Sequence, residues 1–239
     1  MKAVEVTIKE FFRAGVTYIS PSFQRPYDWR GDDVRRYLSS VENHISGGFF
    51  CGSVVVMRLA NQPRALNVEE ANLPQKLLVI DGNHRLITAL VCLLAIRDFL
   101  LKFYPEALDR INDSIFFNID AKGGRHFKYI LPRQDRHVFE ALVKREPVDS
   151  KASTILRAYK YVCDSLAQAS ESMLRSYSER IFADFSFVLL TLDEDEEIHG
   201  ILLQSPIPKH LDINEAINNS IIITFLVIFF FISKLRSLP

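Results

Sequence analysis

The chain has 239 residues, of which 48% are hydrophobic, so it is too apolar for a disordered protein and long enough to bury a core without disulfides or metals. Lys plus Arg and Asp plus Glu each number 29, giving a formal net charge of zero. That balance excludes a protein that grips DNA mainly through a global positive field, and leaves open a local basic groove or a basic partner subunit.

From the start of the chain, Met1 to Phe12 carries Glu5 and Glu10 and no long apolar stretch, which is not the pattern of a secretory signal. Thr7 and Glu10 have capping-box spacing, so Thr7 to Gly15 reads as a short helix with Gly15 after its last turn. Val16 to Ile19 is a short β-prone run stopped by Pro21. Phe23-Gln24-Arg25-Pro26-Tyr27-Asp28-Trp29 follows as an extended loop, with Pro26 biasing Arg25 away from helix. Val34, Leu38, Val41 and Ile45 recur at helical steps, which predicts an amphipathic helix over 32–45. Phe49 to Leu59 reads as a buried strand and 60–75 as a polar surface loop.

Leu77 to Ile80 is a short buried strand, Asp81-Gly82 a turn signal, and Leu86 to Phe103 a long apolar helix with Arg97 toward its polar end. Two strands, 115–119 and 127–131, are expected around Lys122-Gly123-Gly124 as a hairpin. After Pro132 three helices are expected, over 133–145, 154–169 and 172–182, then a returning strand over 185–192 and the acidic cluster 193–197. This order suggests an α+β domain with a helical insertion or extension. The apolar run Ile221 to Ile232 is shorter than the roughly 17–25 residues that span a bilayer. It reads as a core element, a tail anchor, or the truncated or frame-shifted end of a longer protein. Cys51, Cys92 and Cys163 are widely spaced, without zinc-type pairing, and read as small hydrophobes in a reducing cytosol.

The sharpest chemical signal is Val79-Ile80-Asp81-Gly82-Asn83-His84-Arg85-Leu86, a buried strand running through a glycine turn directly into a helix. The first turn of a helix has unpaired N–H groups and the positive end of the helix dipole, a geometry that binds phosphate. Gly82 lets the backbone approach a ligand, Arg85 offers planar donors, and His84 can donate to phosphate or take a proton near neutral pH. Asp81 suits a magnesium ligand, a water-positioning base or a cap of the turn. Equally, Asp-Gly before a helix is a common turn with no ligand. In the loop 23–29, Arg25 could meet phosphate, Gln24 a base edge, and Tyr27 or Trp29 could stack on a base; the plainer reading is a loop stapled to the core by its aromatics.

The two signals, with Phe49-Phe50-Cys51-Gly52-Ser53-Val54-Val55 between them, resemble in order and spacing the N-terminal domain of GmrSD-type restriction systems (DUF262), related to the ParB and sulfiredoxin fold. The stretch 132–139 and the helix around Ala158-Tyr159 look like that family's helical part, and the resemblance covers about 16–195. It implies a mixed-sheet, ParB/sulfiredoxin-like NTP-binding core over 1–131, a helical part with a returning strand over 132–195, and an atypical tail over 196–239. It further implies an NTP-binding, NTP-hydrolysing cytoplasmic module that uses Mg2+ and works with an HNH-type nuclease domain or subunit against phage DNA, meeting DNA through the assembled complex, with no membrane partner. Carried over residue by residue, Asp81, Gly82 and Arg85 match the family's Asp-Gly-Gln-Gln-Arg motif, Gln24 and Arg25 its Gln-Arg pair, and Trp29 its aromatic. Asn83 and His84 replace the two glutamines, a change that phosphate binding tolerates more easily than a glutamine-dependent hydrolytic step.

The expected site is therefore Asp81 and His84 for catalysis, Asp81 for metal, and Gln24, Arg25, Trp29, Gly82, Asn83 and Arg85 for nucleotide. Two rival readings stand beside it: a ParB-like nuclease with its metal at Asp81, and a non-catalytic remnant or interaction protein. The other histidines, His126, His137, His199 and His210, read as surface residues, and the segment 122–128 as a small basic hairpin that could touch nucleic acid.

Overall fold

The computed structural model describes residues 2–22, 24–44, 47–58, 75–148 and 153–192. The expected loop at 60–75, except for Gln75, the acidic cluster at 193–197, His199, His210 and the apolar run at 221–232 lie outside these residues. The unit Met1–Asp193 is a mixed α+β domain.

Its six-stranded sheet has the order β1-β8-β3-β4-β2-β7. The strands are β1 (Lys2–Thr7), β2 (Val16–Ile19), β3 (Phe49–Arg58), β4 (Gln75–Asp81), β7 (Tyr129–Ile130) and β8 (Phe185–Leu192). The pairs β8/β3, β4/β2 and β2/β7 are parallel, and β1/β8 and β3/β4 antiparallel. The returning strand β8 thus lies inside the sheet, between β1 and β3. β1 was not visible in the sequence because its first four residues are exposed; its pairing with β8, not an apolar pattern, makes it a strand.

The helices are α1 (Ile8–Phe11), α2 (Gly31–Asn43), α3 (Asn83–Leu100), α4 (Leu108–Ile115), α5 (Arg133–Lys144), α6 (Thr154–Ser165) and α7 (Glu171–Glu179). α1 is a single turn held by the expected capping box between Thr7 and Glu10, so Gly15, at φ +83°, opens β2 instead of closing the helix. α2 buries Val34, Tyr37, Leu38 and Val41. α3 is buried on nearly every side, from Leu86 to Arg97, and packs against α6 and α7. A helix apolar all round belongs in a core. No helix among the described residues is long and apolar enough to cross a membrane.

Arg97 corrects the sequence reading. It is 1% exposed, not at a polar end. Its guanidinium donates to Asn112 Oδ1 and the Leu142 and Val143 carbonyls, pairs with Asp98 at 2.9 Å, and lies over the Phe116 ring. Satisfying a buried guanidinium on all sides requires partners distant in sequence, so nothing local announces it. Residues 115–131 also differ from two simple strands. α4 occupies Leu108–Ile115, β5 (Phe117–Ile119) and β6 (Arg125–Phe127) form a separate hairpin, and β7 turns away into the main sheet beside β2. In the hairpin turn Asp120 Oδ1 accepts the N–H groups of Lys122 and Gly124. Two of the basic groups there are internally paired, Arg125 with Asp109 and Asp113, and His126 with Asp120.

Candidate functional site

The turn from β4 into α3 is built around Gly82, the N-cap of the helix, at φ +95°. A Cβ there would lie 2.8 Å from Val54 Cγ2, so only glycine lets the turn close against β3. No side chain caps α3, and Asp81 is the last residue of β4, paired with Val55, rather than a cap.

Successive positions in a helix point about 100° apart, and Asn83, His84 and Arg85 accordingly leave the turn in three directions. Asn83 goes inward: it is 4% exposed and its Oδ1 accepts the hydroxyl proton of Tyr129. His84 faces the loop 24–30. Its ring lies near-parallel to Tyr27 and Trp29, and Nε2 sits 2.9 Å from Asp28 Oδ1. Burial pulls the His84 pKa below its ordinary value against the upward pull of Asp28 and of a hydrogen bond to the Pro26 carbonyl. Arg85 turns toward β3, where Nη1 donates to the Ser53 carbonyl at 2.6 Å.

The loop is fastened to this corner by its polar groups. Gln24 Nε2 donates to the Ile80 carbonyl at 2.6 Å. Ile80 is the residue skipped in the β3/β4 ladder, so the glutamine satisfies a carbonyl that the sheet leaves open. Tyr27 donates its N–H to Asp135 and shares a hydrogen bond with Thr88. Arg25 pairs with Asp28 at 3.0 Å on the surface.

Beside the corner lies an open cleft of about 340 Å³ between α2 and β3. Trp29 and the α2 residues Asp33, Arg36, Tyr37 and Ser40 line one part, and Phe49, Phe50 and Cys51 of β3 another, with Arg85 also lining it. β3 is bulged at Cys51-Gly52 against β8, and Gly52, at φ +102°, leaves room for the guanidinium. A Cβ on Gly52 would lie 3.1 Å from Arg85 Nη1. Arg85 has no carboxylate partner among the described residues, whereas Arg36 pairs with Asp33 at 3.0 Å. Burial pushes the Cys51 thiol up to about 12, which leaves it protonated and unreactive near neutral pH.

Of the expected site residues, Trp29 and Arg85 line the cleft. Gln24, Arg25, Asp81, Gly82, Asn83 and His84 do not, although His84 touches its Trp29 wall. The facing wall comes from α2 instead of the loop residues Gln24 and Arg25. Sequence reading passed over Arg36, Tyr37 and Ser40; the available signal was a phenol placed on the otherwise apolar stripe of α2. Among the described residues no three His, Cys, Asp or Glu side chains gather in a metal-binding cluster.

The family model described as "GmrSD restriction endonuclease, N-terminal domain" matches residues 8–223. A stretch of 64 residues is 39% identical to "Bifunctional protein FolD 2" of Roseobacter denitrificans, covering 25% of this chain and 21% of that protein. The chain thus spans about a fifth of the length of this curated relative, too little to show kinship with it.

Proposed function

Because the chain belongs to the GmrSD restriction endonuclease N-terminal domain family, we propose that it is the nucleotide-binding module of a restriction system, seating the phosphates of a nucleoside triphosphate in the cleft beside Gly82. One observation carries this reading: the Arg85 guanidinium lines an open cleft with a single backbone hydrogen bond and no carboxylate to neutralise it. A planar cation with unused N–H groups in a concave site matches the oxygens of a phosphate. The unpaired amides at the start of α3 add to the same positive end. Trp29 and the 56% exposed Phe50 supply aromatic surface on which a base can stack.

Mg2+ would enter with the phosphates, which would supply most of its oxygen ligands; the carboxylate on the cleft wall is Asp33, already paired with Arg36, and Asp81 does not line the cleft. Hydrolysis would depend on positioning and charge neutralisation. His84 could accept a proton from the attacking water only after releasing one of its contacts, since Asp28 and the Pro26 carbonyl already engage the ring. The cleavage of DNA would belong to an HNH-type nuclease domain or subunit acting with this module.

The test is titration of the purified chain with each of the four common NTPs, with and without Mg2+, alongside Arg85→Ala and Arg85→Lys. Binding is expected in the unsubstituted protein, a loss of about 1.5–3 kcal/mol in Arg85→Ala, the range of a charged hydrogen bond, and partial retention in Arg85→Lys. Unchanged affinity in Arg85→Ala would remove the proposal.

A further inference from the structure

Four tyrosines are buried among the described residues, and three have a hydrogen-bond partner for the phenol oxygen: Tyr18 donates to the Phe11 carbonyl, Tyr27 shares a bond with Thr88, and Tyr129 donates to Asn83. Tyr37 is the exception. It is 9% exposed, its ring meets Phe185 edge-on at 5.6 Å, and its hydroxyl is buried with no partner. A phenylalanine would make the same ring contact. A buried hydroxyl without a protein partner is normally destabilising, so the position calls for a partner that is not protein, either water or a ligand.

The place of Tyr37 says what that partner is. The residue lines the same cleft as Arg85, and the buried Cys92, then Cys51 and Arg85, are the groups whose charge bears on its phenol. Burial pushes the phenol well above its ordinary range, so it stays a neutral O–H donor at any physiological pH. A neutral donor and an uncompensated guanidinium in one cleft suit an acceptor that carries negative charge and several oxygens. We infer that Tyr37 is a phosphate-binding residue, whose hydroxyl donates to the same phosphoryl group that Arg85 holds, so that α2 forms the second half of the seat. The inference rests on the nucleotide reading above and adds to it the residue that closes the seat. Arg36, whose side chain is 78% exposed at the rim, is free to swing from Asp33 toward a longer phosphate chain.

The test uses the full chain with Tyr37→Phe and Arg85→Ala, with ATP and inorganic pyrophosphate as probes by isothermal titration, and thermal melting without ligand. Tyr37→Phe is expected to melt no lower than the unsubstituted protein, because it discards only an unpaired hydroxyl. It should bind both probes about tenfold or more weakly, the effect of losing one charge-assisted hydrogen bond. If Tyr37→Phe keeps full affinity while Arg85→Ala loses it, this inference falls and the nucleotide reading stands. If both variants keep full affinity, both fall. A marked drop in the melting temperature of Tyr37→Phe also overturns the inference, since it means that the hydroxyl already has a structural partner.

Discussion

Gly82→Ala probes the corner on which the cleft depends. The added methyl faces two separate costs. An L-residue in the left-handed region at φ +95° loses about 1–2 kcal/mol relative to glycine. Its Cβ would also stand 2.8 Å from Val54 Cγ2 and 3.2 Å from Val54 Cα, so the clash involves backbone as well as a side-chain tip. Overpacking of this kind costs about 1–3 kcal/mol, for a combined loss of roughly 2–5 kcal/mol. In a domain of this size about 2–4 °C of melting temperature goes with each kcal/mol, so the variant should melt roughly 4–20 °C lower. Gly123→Ala is the control. It has a similar φ of +81° with nothing within 4 Å of the added Cβ, and isolates the backbone cost. Circular dichroism melts of both variants give the difference owed to the contact with β3. Equal melting temperatures would refute the argument that glycine is required there for close approach. Because the clash pushes the first turn of α3 away from β3, Gly82→Ala should also weaken nucleotide binding by displacing Arg85 from Ser53.

Two further outcomes follow from the buried polar groups. Arg97→Ala strands Asn112 and two carbonyls, while Asp98 keeps Tyr159 and Arg145, and urea unfolding should show a loss of about 3–5 kcal/mol; a loss below about 1 kcal/mol would mean that water replaces the guanidinium without penalty. His84 should titrate by NMR with a midpoint below its ordinary value of about 6.5, because burial outweighs Asp28. Since the folded state holds the ring neutral, the unfolded chain takes up the proton first as pH falls. Stability should therefore decline with falling pH from about 6.5 down to the folded midpoint. Asp28→Asn should lower that midpoint further, and a midpoint at or above the ordinary value would show that the carboxylate governs the ring.

Local pattern alone marked out most of the domain. The α2 stripe, the apolar runs of β3 and β4, the capping box at Thr7 and the Asp81-Gly82 corner each lie within a few residues, and their physics is short-ranged: side-chain periodicity, a cap, a positive φ. The motif order also pointed to the family. What local pattern could not reveal were features created by partners distant in the chain. β1 is a strand because β8 returns to pair with it, and Arg97 is buried because α4 and the end of α5 bring it acceptors. Gln24 serves a carbonyl of the sheet because a bulge exposes it.

The same division runs through the candidate site. Adjacent residues suffice to start α3 at a glycine corner and to stand Arg85 in its first turn. Which way that arginine points, and what it meets there, depends on long-range packing. Helical geometry sends Asn83, His84 and Arg85 to three different surroundings, and the packing of α2 against β3, not the loop at 24–30, places Tyr37 and Arg36 in the cleft with Arg85. Convergence of side chains on one small anion depends on how whole elements pack together, a relation that spacing along a chain does not encode.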